Sequence, residues 1–439
     1  MNVNFAERAH NHNWKLDPIV RSLLDTDFYK LLMLQFIWKN FPHVHVTSEV
    51  TNRTVKMRLA ERVGAAALIE QMDHVRQLKF RRSEMVWLAG NMFYGTRSIF
   101  SPEFLDWLDN DFKLSEYEVS EHDGQLVLRF HGKWTDVTMW EVYALAIVSE
   151  LKTRTALAEL TELELDVLYA RAKTRLWDKI ETFKEAGLDG LQLSDFGTRR
   201  RHSFLWQEYC VQAMRVSLGE KHFTGTSNTA LAYKHDLEAI GTNAHELPMA
   251  LAAMASRGSD EELRESQYRV LELWQQSYGG SLKIMLPDTF GTTQFLEGAP
   301  EWVADWTGQR IDSKDPMIAG DEYIAWVESR GRDPRKKRLI ASDGLDVEEI
   351  IKLHFYFADR IRFSAGWGTL LTNDFRGCHP RGEDTLGPLS LVCKLTSVEG
   401  IPTVKLSDNP RKTAGPVEMV ERYRRVFGTV AVGATEVLV

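Results

Sequence analysis

The alternation of apolar and polar residues in the first third of the chain predicts a mixture of helices and antiparallel strands. Apolar residues occur on nearly every turn of residues 25–41 (DTDFYKLLMLQFIWKNF), which is typical of a buried helix. Residues 44–54 alternate with a period of two, as a half-buried strand does. Residues 117–132 predict a hairpin with Asp123-Gly124 at its turn.

From about residue 190 the pattern changes to short apolar runs, each ending in a cluster of Gly, Asp, Ser, Thr, Arg or His. Amphipathic stretches lie between most of them, as in Ser203 to Leu218, Glu262 to Tyr278 and Val347 to Asp359. This repetition predicts a parallel α/β barrel or a doubly wound sheet. In a barrel the polar clusters would meet at one mouth, because functional groups gather at the carboxyl ends of the strands. The runs are LQLSDFGTRRR (191–201), HFTGTSN (222–228), AIGTNAHE (239–246), LKIMLPDTFGTT (282–293), QRIDSKDP (309–316), RLIASDGLD (338–346) and IRFSAGWGT (361–369).

A second hairpin is predicted in residues 389–410, with Glu399-Gly400 at its turn. We expect it to rejoin the N-terminal strands, because two sheet segments outside the barrel would be buried together. The predicted domains are therefore an N-terminal α+β domain, residues 1–150, completed by about 385–439, and an α/β barrel, residues 151–384, that carries the functional site.

The net charge, the cysteines and the lack of long apolar segments argue against several classes of protein. The net charge is -8 and the pI about 6.0, which opposes binding to a nucleic-acid backbone. Cys210, Cys378 and Cys393 are far apart and without CxxC spacing, which favours a reducing compartment and argues against disulfides or structural zinc. Residues 1–18 lack the apolar segment of a secretory signal, and the longest apolar stretches are too short to span a bilayer. We expect a cytoplasmic enzyme.

The first polar cluster combines an aromatic ring with three arginines. Phe196 offers a surface for stacking, and Arg199, Arg200 and Arg201 offer guanidinium groups that grip carboxylate or phosphate. The alternative is a solvated basic start of a helix, although positive charge is unfavourable there. Because the chain is acidic overall, a small polyanionic substrate explains the arginines better than nucleic acid does.

Other clusters offer phosphate-binding turns, carboxylates and a histidine. FTGTSN (223–228) and SAGWGT (364–369) are Gly/Thr turns of the kind that bind phosphate. The aspartates of 310–316 and 342–346 suit ribose hydroxyls or a phosphate-bound Mg²⁺, or they cap helices. His245 precedes Glu246, but Met249 replaces the second histidine of HExxH, which argues against a metalloprotease. It could instead be a general base, a nucleophile or a core histidine.

Taken in order, these motifs resemble those of bacterial nicotinate phosphoribosyltransferases, of the type II phosphoribosyltransferase group. The resemblance covers residues 23–412. It implies an irregular TIM-like α/β barrel joined to a mostly β domain built from both chain ends. It also implies transfer of ribose 5-phosphate from phosphoribosyl pyrophosphate to nicotinate, with ATP hydrolysis and Mg²⁺. The matching segments are LLDTDFYKLLMLQ, DFGTRRRHS, GTSN, GTNAHE, DSKDP, SDGLD, GWGTLLTND and KLSDNPRK.

The resemblance assigns roles to individual residues. Phe196 would stack on the pyridine ring, and Tyr29 of a neighbouring subunit would cover its other face, which implies a homodimer with shared active sites. Arg199 would hold the pyridine substituent, with Arg200 and Arg201 as further candidates for carboxylate or phosphate. His245 would be phosphorylated by ATP. Asp312 would hold the ribose hydroxyls and Arg310 phosphate or base. The remaining substrate-binding residues are Asp27, Thr226, Ser227, Asp343, Gly344, Gly366, Gly368 and Thr369, the glycines and Thr369 serving the 5-phosphate.

Several positions bear on substrate choice and local geometry. Relatives that use nicotinamide carry an acidic residue where this chain has Ser227, so serine favours the acid. Lys314 replaces a glycine near the sugar site, which either changes the geometry or adds a phosphate contact. Ala365, Trp367 and Leu247 also depart from the family pattern. The alternatives are a nicotinamide or quinolinate phosphoribosyltransferase, and a nucleic-acid-binding protein that uses the arginine run and residues 336–338.

Overall fold

The structure is a computed structural model that describes residues 16–92, 98–187 and 189–428. Its strands form one five-stranded and one seven-stranded sheet. The strands are β1 (His45–Asn52), β2 (Tyr117–His122), β3 (Gln125–Lys133), β4 (Gln192–Asp195), β5 (Phe223–Thr226), β6 (Glu238–Ala239), β7 (Ile284–Met285), β8 (Gly308–Ile311), β9 (Arg338–Ala341), β10 (Arg362–Trp367), β11 (Leu391–Val398) and β12 (Ile401–Pro402).

The α-helices surround these sheets and connect their strands. They are α1 (Phe28–Asn40), α2 (Leu59–Arg62), α3 (Ala65–Gln77), α4 (Arg82–Gly90), α5 (Pro102–Asn110), α6 (Trp134–Val137), α7 (Trp140–Leu157), α8 (Glu162–Ala186), α9 (Phe204–Leu218), α10 (Thr229–His235), α11 (Glu246–Ala255), α12 (Asp260–Ser277), α13 (Thr292–Gly298), α14 (Pro316–Ser329), α15 (Val347–Phe357), α16 (Thr369–Thr372) and α17 (Val417–Phe427).

The seven-stranded sheet is parallel and curls into an irregular half-barrel, which confirms the predicted fold class. Its strand order is β6-β5-β4-β10-β9-β8-β7, so the first and last strands in sequence are neighbours. Each of the seven predicted apolar runs supplies one strand. The predicted amphipathic helices are α9, α12 and α15. Because all seven strands are parallel, their polar ends lie at the same edge of the sheet.

The five-stranded sheet is antiparallel and combines strands from both parts of the chain. β11 pairs with β1 from Val46↔Val398 to Asn52↔Leu391, which confirms that the second hairpin joins the N-terminal strands. β1 buries Val46, Ser48 and Val50 on one face, as its period of two predicts. Both predicted hairpin turns are present, and positive φ angles at Asp123-Gly124 and Glu399-Gly400 match the tight turns that join twisted strands.

The division into domains at residue 150 stays a prediction, and that residue lies within α7. Residues 1–15, most of the segment judged to lack a secretory signal, lie outside the described residues, as do residues 429–439 of the predicted first domain. Among the helices of the described residues, none is both long enough and apolar enough to cross a bilayer.

Candidate active site

A cavity of about 260 Å³ lies where the polar ends of the parallel strands meet the inner face of the antiparallel sheet. Residues that follow β4, β5, β6, β8, β9 and β10 line one side of it. The other side is formed by Ser48 of β1, residues 392–395 of β11, and Lys405 and Lys412 beyond β12. Six of the seven strand-end clusters therefore meet in one place, where the antiparallel sheet closes the space in front of them, while no residue of the cluster at β7 lines this cavity.

Nearly all the predicted site residues line this cavity; the exceptions are Thr226, Gly366 and the further candidate Arg201. Thr226 is buried, and its hydroxyl donates to Asp195 Oδ2 at 2.7 Å, so it holds the turn after β5. The residues that do line the cavity are Asp27, Tyr29, Phe196, Arg199, Arg200, Ser227, His245, Arg310, Asp312, Asp343, Gly344, Gly368 and Thr369.

Gly366 lies beneath the ring of Phe196. A Cβ atom at Gly366 would lie 2.3 Å from Cδ2 and Cε2 of that ring, so only glycine allows the ring to approach β10 this closely. The Phe196 backbone is fixed at the same point, because its N–H donates to the Trp367 carbonyl at 2.9 Å. Gly366 therefore positions the aromatic ring and does not itself face the cavity. Ala365 and Trp367, two of the departures from the family pattern, are buried in the same strand.

The three consecutive arginines have different surroundings. Arg199 is 40% exposed, and its Nη1 donates to Glu141 Oε1 at 3.0 Å. Arg200 donates through Nε and Nη2 to the Leu391 carbonyl of β11. Arg201 is fully buried and makes a bidentate pair with Asp25, at 2.6 and 2.8 Å. The expectation that Arg201 is a further substrate contact is therefore wrong, because its guanidinium is already paired inside the protein.

Tyr29 lies in the cavity of its own chain. The segment that carries it is docked on the barrel: Phe28 N–H donates to the Ser227 carbonyl at 2.7 Å, and Ser227 Oγ donates to Asp27 Oδ1 at 2.6 Å. A Cβ atom at Gly241 would lie 2.7 Å from the Tyr29 nitrogen. The prediction that a neighbouring subunit supplies Tyr29 is wrong for this structure, since the N-terminal segment of the same chain fills that place.

His245 is held by hydrogen bonds at both ring nitrogens. Nε2 is 2.9 Å from Asp312 Oδ2, and Nδ1 is 2.9 Å from Thr289 Oγ1. Because an ionised carboxylate only accepts, Nε2 carries the proton, and Nδ1 accepts from the threonine hydroxyl. Burial, together with nearby Lys405, lowers the pKa of His245, so the imidazole is neutral near pH 7. The one in-plane lone pair of Nδ1 therefore accepts the Thr289 hydrogen bond.

Asp312 is an ionised carboxylate in a network of donors. Burial opposes its ionisation, but the neighbouring cations, Arg310 first, hold the pKa of Asp312 well below its ordinary range. Arg310 Nη1 donates to Asp312 Oδ1 at 2.9 Å. Lys412 Nζ donates to the Asp312 carbonyl and to Asp343 Oδ2, both at 2.6 Å. The negative charge of Asp312 is therefore fixed in position at the cavity wall.

Lys314 turns away from this network. Its Nζ lies 2.5 Å from Glu322 Oε2 on α14 and donates to Thr293 Oγ1 at 3.0 Å. The suggestion that Lys314 adds a phosphate contact is therefore not what the structure shows. The lysine instead ties the loop after β8 to α13 and α14.

Several cavity residues were missed by the sequence analysis. Lys405 and Lys412 are the first and last residues of the KLSDNPRK motif, but the resemblance assigned them no role. Nothing in the sequence marked Arg53 or Lys394. Thr289 does not line the cavity but contacts His245, and it lies in the LKIMLPDTFGTT cluster, which was recognised only as the end of a strand. The positions of all five depend on tertiary contacts, above all on the antiparallel sheet.

A divalent cation fits one group of carboxylates near His245. Ligand atoms of His245, Asp288 and Asp312 lie within 4.8 Å of one another. Asp288 Oδ2 accepts from Ser313 Oγ at 2.6 Å, while its buried Oδ1 has no hydrogen-bond partner. An unsatisfied carboxylate oxygen beside a second carboxylate suits a hard cation such as Mg²⁺.

Comparison with known proteins gives a consistent result. The model of the nicotinate phosphoribosyltransferase (NAPRTase) family matches residues 191–431, and that of the NAPRTase N-terminal domain matches residues 24–149. A nicotinate phosphoribosyltransferase structure from Vibrio cholerae is 30% identical, with a TM-score of 0.82, covering 96% of this chain and 95% of that chain. One from Porphyromonas gingivalis is 29% identical, with a TM-score of 0.81, covering 94% and 100% of the two chains.

Proposed function

The chain belongs to the nicotinate phosphoribosyltransferase family, as its ordered motifs predicted, and we propose that it forms nicotinate mononucleotide and pyrophosphate from nicotinate and phosphoribosyl pyrophosphate. We further propose that the reaction is coupled to ATP hydrolysis through a phosphohistidine at His245, within NAD biosynthesis. The observation that carries this proposal is that Phe196, Arg199, His245 and Asp312 line one cavity.

The nicotinate ring binds at the Phe196 end of the cavity. Phe196 provides a flat surface that Gly366 holds in place, and Tyr29 lines the same cavity. Arg199 uses one Nη1 contact with Glu141, and since a guanidinium has five N–H donors, others are available for the nicotinate carboxylate. The Ser227 hydroxyl donates to Asp27, so this position presents no acidic group to repel the substrate.

The phosphates bind at a cationic wall of the cavity, which is formed by five basic side chains. Its basic side chains come largely from the antiparallel sheet and the segment after it, and they explain how an acidic chain holds a polyphosphate. Burial lowers the pKa of Lys394 to about 8 and also lowers the pKa of Lys405. A phosphate beside them favours the charged form, so ligand charge offsets the cost of burying these cations. The basic residues are Arg53, Arg200, Lys394, Lys405 and Lys412.

In the transfer step, the bond from ribose C1 to the pyrophosphate oxygen breaks and a bond from C1 to the nicotinate nitrogen forms. Positive charge develops on the ribose as pyrophosphate leaves. The Asp312 carboxylate, kept ionised by its neighbours, stabilises that charge. The pyridine nitrogen already has a lone pair, so the protein contributes mainly by positioning the two substrates.

In the coupled step, the Thr289 hydroxyl turns away from Nδ1, the freed lone pair of His245 Nδ1 attacks the γ-phosphorus of ATP, and ADP leaves with the bond's electron pair. Water then cleaves the phosphohistidine and releases phosphate. Asp312 keeps the proton on Nε2, and Thr289 directs Nδ1. Bound Mg²⁺, for which Asp288 and Asp312 are the candidate ligands, would neutralise phosphate charge.

The test is an assay with nicotinate, phosphoribosyl pyrophosphate, ATP and Mg²⁺, in which mononucleotide and ADP are measured together. Parallel reactions with nicotinamide and quinolinate distinguish the alternative substrates. We expect product with nicotinate, and His245→Ala should lose the ATP hydrolysis while retaining a slow ATP-independent transfer. Absence of nicotinate mononucleotide would refute the activity, whereas normal hydrolysis in His245→Ala would refute only the phosphohistidine. The predicted homodimer is tested separately by measuring the mass of the enzyme in solution.

A further inference from the structure

A buried lysine lies directly behind the nicotinate end of the cavity. Lys30, on α1, has no exposed surface. Its Nζ lies 2.7 Å from Glu141 Oε2 and 2.6 Å from Glu246 Oε2. Both glutamates line the cavity, so Lys30 contacts the cavity wall from inside the protein.

The two glutamates connect Lys30 to both ends of the site. Glu141 accepts from Arg199 Nη1 at 3.0 Å through its other oxygen. Glu246 follows His245 in the chain and begins α11, and its second oxygen accepts from Trp134 Nε1 at 2.6 Å. A continuous series of contacts with alternating charge therefore runs from Arg199 through Glu141 and Lys30 to Glu246.

The positive charge of Lys30 offsets negative charge of the glutamates in this series of contacts. Lys30 and Arg199 are the cations beside Glu141 and Glu246, and the carboxyl group of Asp27 also lies 3.9 Å from Arg199 Nε. Without Lys30, Glu141 would lose one of its two cationic partners and would hold the Arg199 guanidinium more tightly. An incoming carboxylate would then meet net negative charge in a partly desolvated pocket, where like charges repel more strongly than in water.

We propose that Lys30 is a specificity-determining residue that acts through Glu141: it keeps Arg199 available and cancels the charge that would exclude an anionic substrate. The inference rests on the proposed function, because it takes Arg199 as the group that receives the nicotinate carboxylate. A lysine with a purely structural role would change stability without a selective effect on nicotinate.

The test is Lys30→Met, which keeps the length of the side chain and removes its charge. We expect the KM for nicotinate, and its Kd measured by calorimetry, to rise at least about tenfold, as for one unpaired like charge. The KM for phosphoribosyl pyrophosphate should change by less than about twofold, because the ion-pair partners of Lys30 are two glutamates and not the basic residues proposed to bind phosphate.

A double variant tests whether the effect of Lys30→Met comes from the uncompensated negative charge. In Lys30→Met/Glu141→Gln one carboxylate is removed together with the lysine, and the glutamine oxygen still accepts from Arg199. We expect the nicotinate KM to return to within about threefold of the wild-type value, an outcome that simple loss of packing does not produce. Glu141→Gln alone should lower the nicotinate KM, and it serves as the test if Lys30→Met does not fold.

The matched control is Lys337→Met. Lys337 is also buried, but it precedes β9 at the far end of the barrel, where Nζ donates to the carbonyls of Ala304 and Trp306 at 2.6 and 2.7 Å. We expect it to leave the nicotinate KM unchanged. A wild-type nicotinate KM and Kd in Lys30→Met, no recovery in the double variant, or a higher nicotinate KM in Glu141→Gln would overturn the inference. A wild-type enzyme that makes no mononucleotide refutes the proposed function instead, and calorimetry with nicotinate still decides the role of Lys30.

Discussion

Replacement of Gly366 by alanine tests whether the position of the Phe196 ring controls nicotinate use. The added Cβ would lie 2.3 Å from two ring carbons, whereas ordinary contacts begin near 3.4 Å. The ring must therefore move by about 1 Å, and since Gly366 lies behind it on β10, the displacement is toward the cavity. Overpacking of this kind costs about 1–3 kcal/mol of stability.

The same displacement affects catalysis more than folding. A misplacement of about 1 Å at a positioning group can cost about a hundredfold in rate. We expect kcat/KM for nicotinate to fall by about ten- to a hundredfold in Gly366→Ala. His245-dependent ATP hydrolysis, measured without nicotinate, should change by less than about twofold, because it does not use the ring.

The control is Gly90→Ala, at the end of α4, where no atom lies within 4 Å of the added Cβ. This variant should behave as wild type in steady-state assays and thermal melts. An unchanged kcat/KM for nicotinate in Gly366→Ala, at normal folding, would refute the argument that the glycine positions Phe196.

Three further predictions follow from contacts at or near the site. Mixtures of Tyr29→Ala and His245→Ala chains should form mononucleotide no faster than the two variants assayed separately, because one chain supplies both residues; recovery of ATP-coupled activity would instead place Tyr29 in a partner's site. Lys314→Met should lower the free energy of unfolding in denaturant by about 1–2 kcal/mol through loss of the Glu322 contact, with an unaltered KM for phosphoribosyl pyrophosphate; a raised KM would restore Lys314 to the phosphate site. Since burial lowers the pKa of His245 from its ordinary 6.5, the neutral nucleophile persists below that pH. The acid limb of ATP hydrolysis should therefore lie below pH 6.5, and a limb above it would contradict the assigned state of the imidazole.

The sequence predicted the framework well because local rules determine it. Parallel strands are buried runs that end in polar clusters, and all seven predicted runs became strands. The hairpin turns were predictable because Asp123-Gly124 and Glu399-Gly400 accept positive φ. The meeting of the clusters at one cavity followed from the parallel arrangement alone.

What could not be predicted depends on contacts between distant parts of the chain. Nothing in the run of three arginines shows that Arg199 faces the cavity while Arg201 pairs with Asp25, a residue 176 positions away. The sequence likewise could not show that the segment with Tyr29 docks on its own barrel. Lys30 has no local signal at all, because its role depends on two glutamates brought together only by folding.

The site depends on a segment that follows all the barrel strands in the chain. Leu406 and Ser407 N–H groups donate to the Thr289 carbonyl, and Lys412 donates to Asp343 and to the Asp312 carbonyl. During translation, all seven barrel strands leave the ribosome before these contacts exist. A chain that stops before residue 405 therefore lacks the contacts that hold the Thr289 backbone beside His245 and lacks two of the five basic residues of the cationic wall. We therefore expect activity only in chains that extend through residue 412.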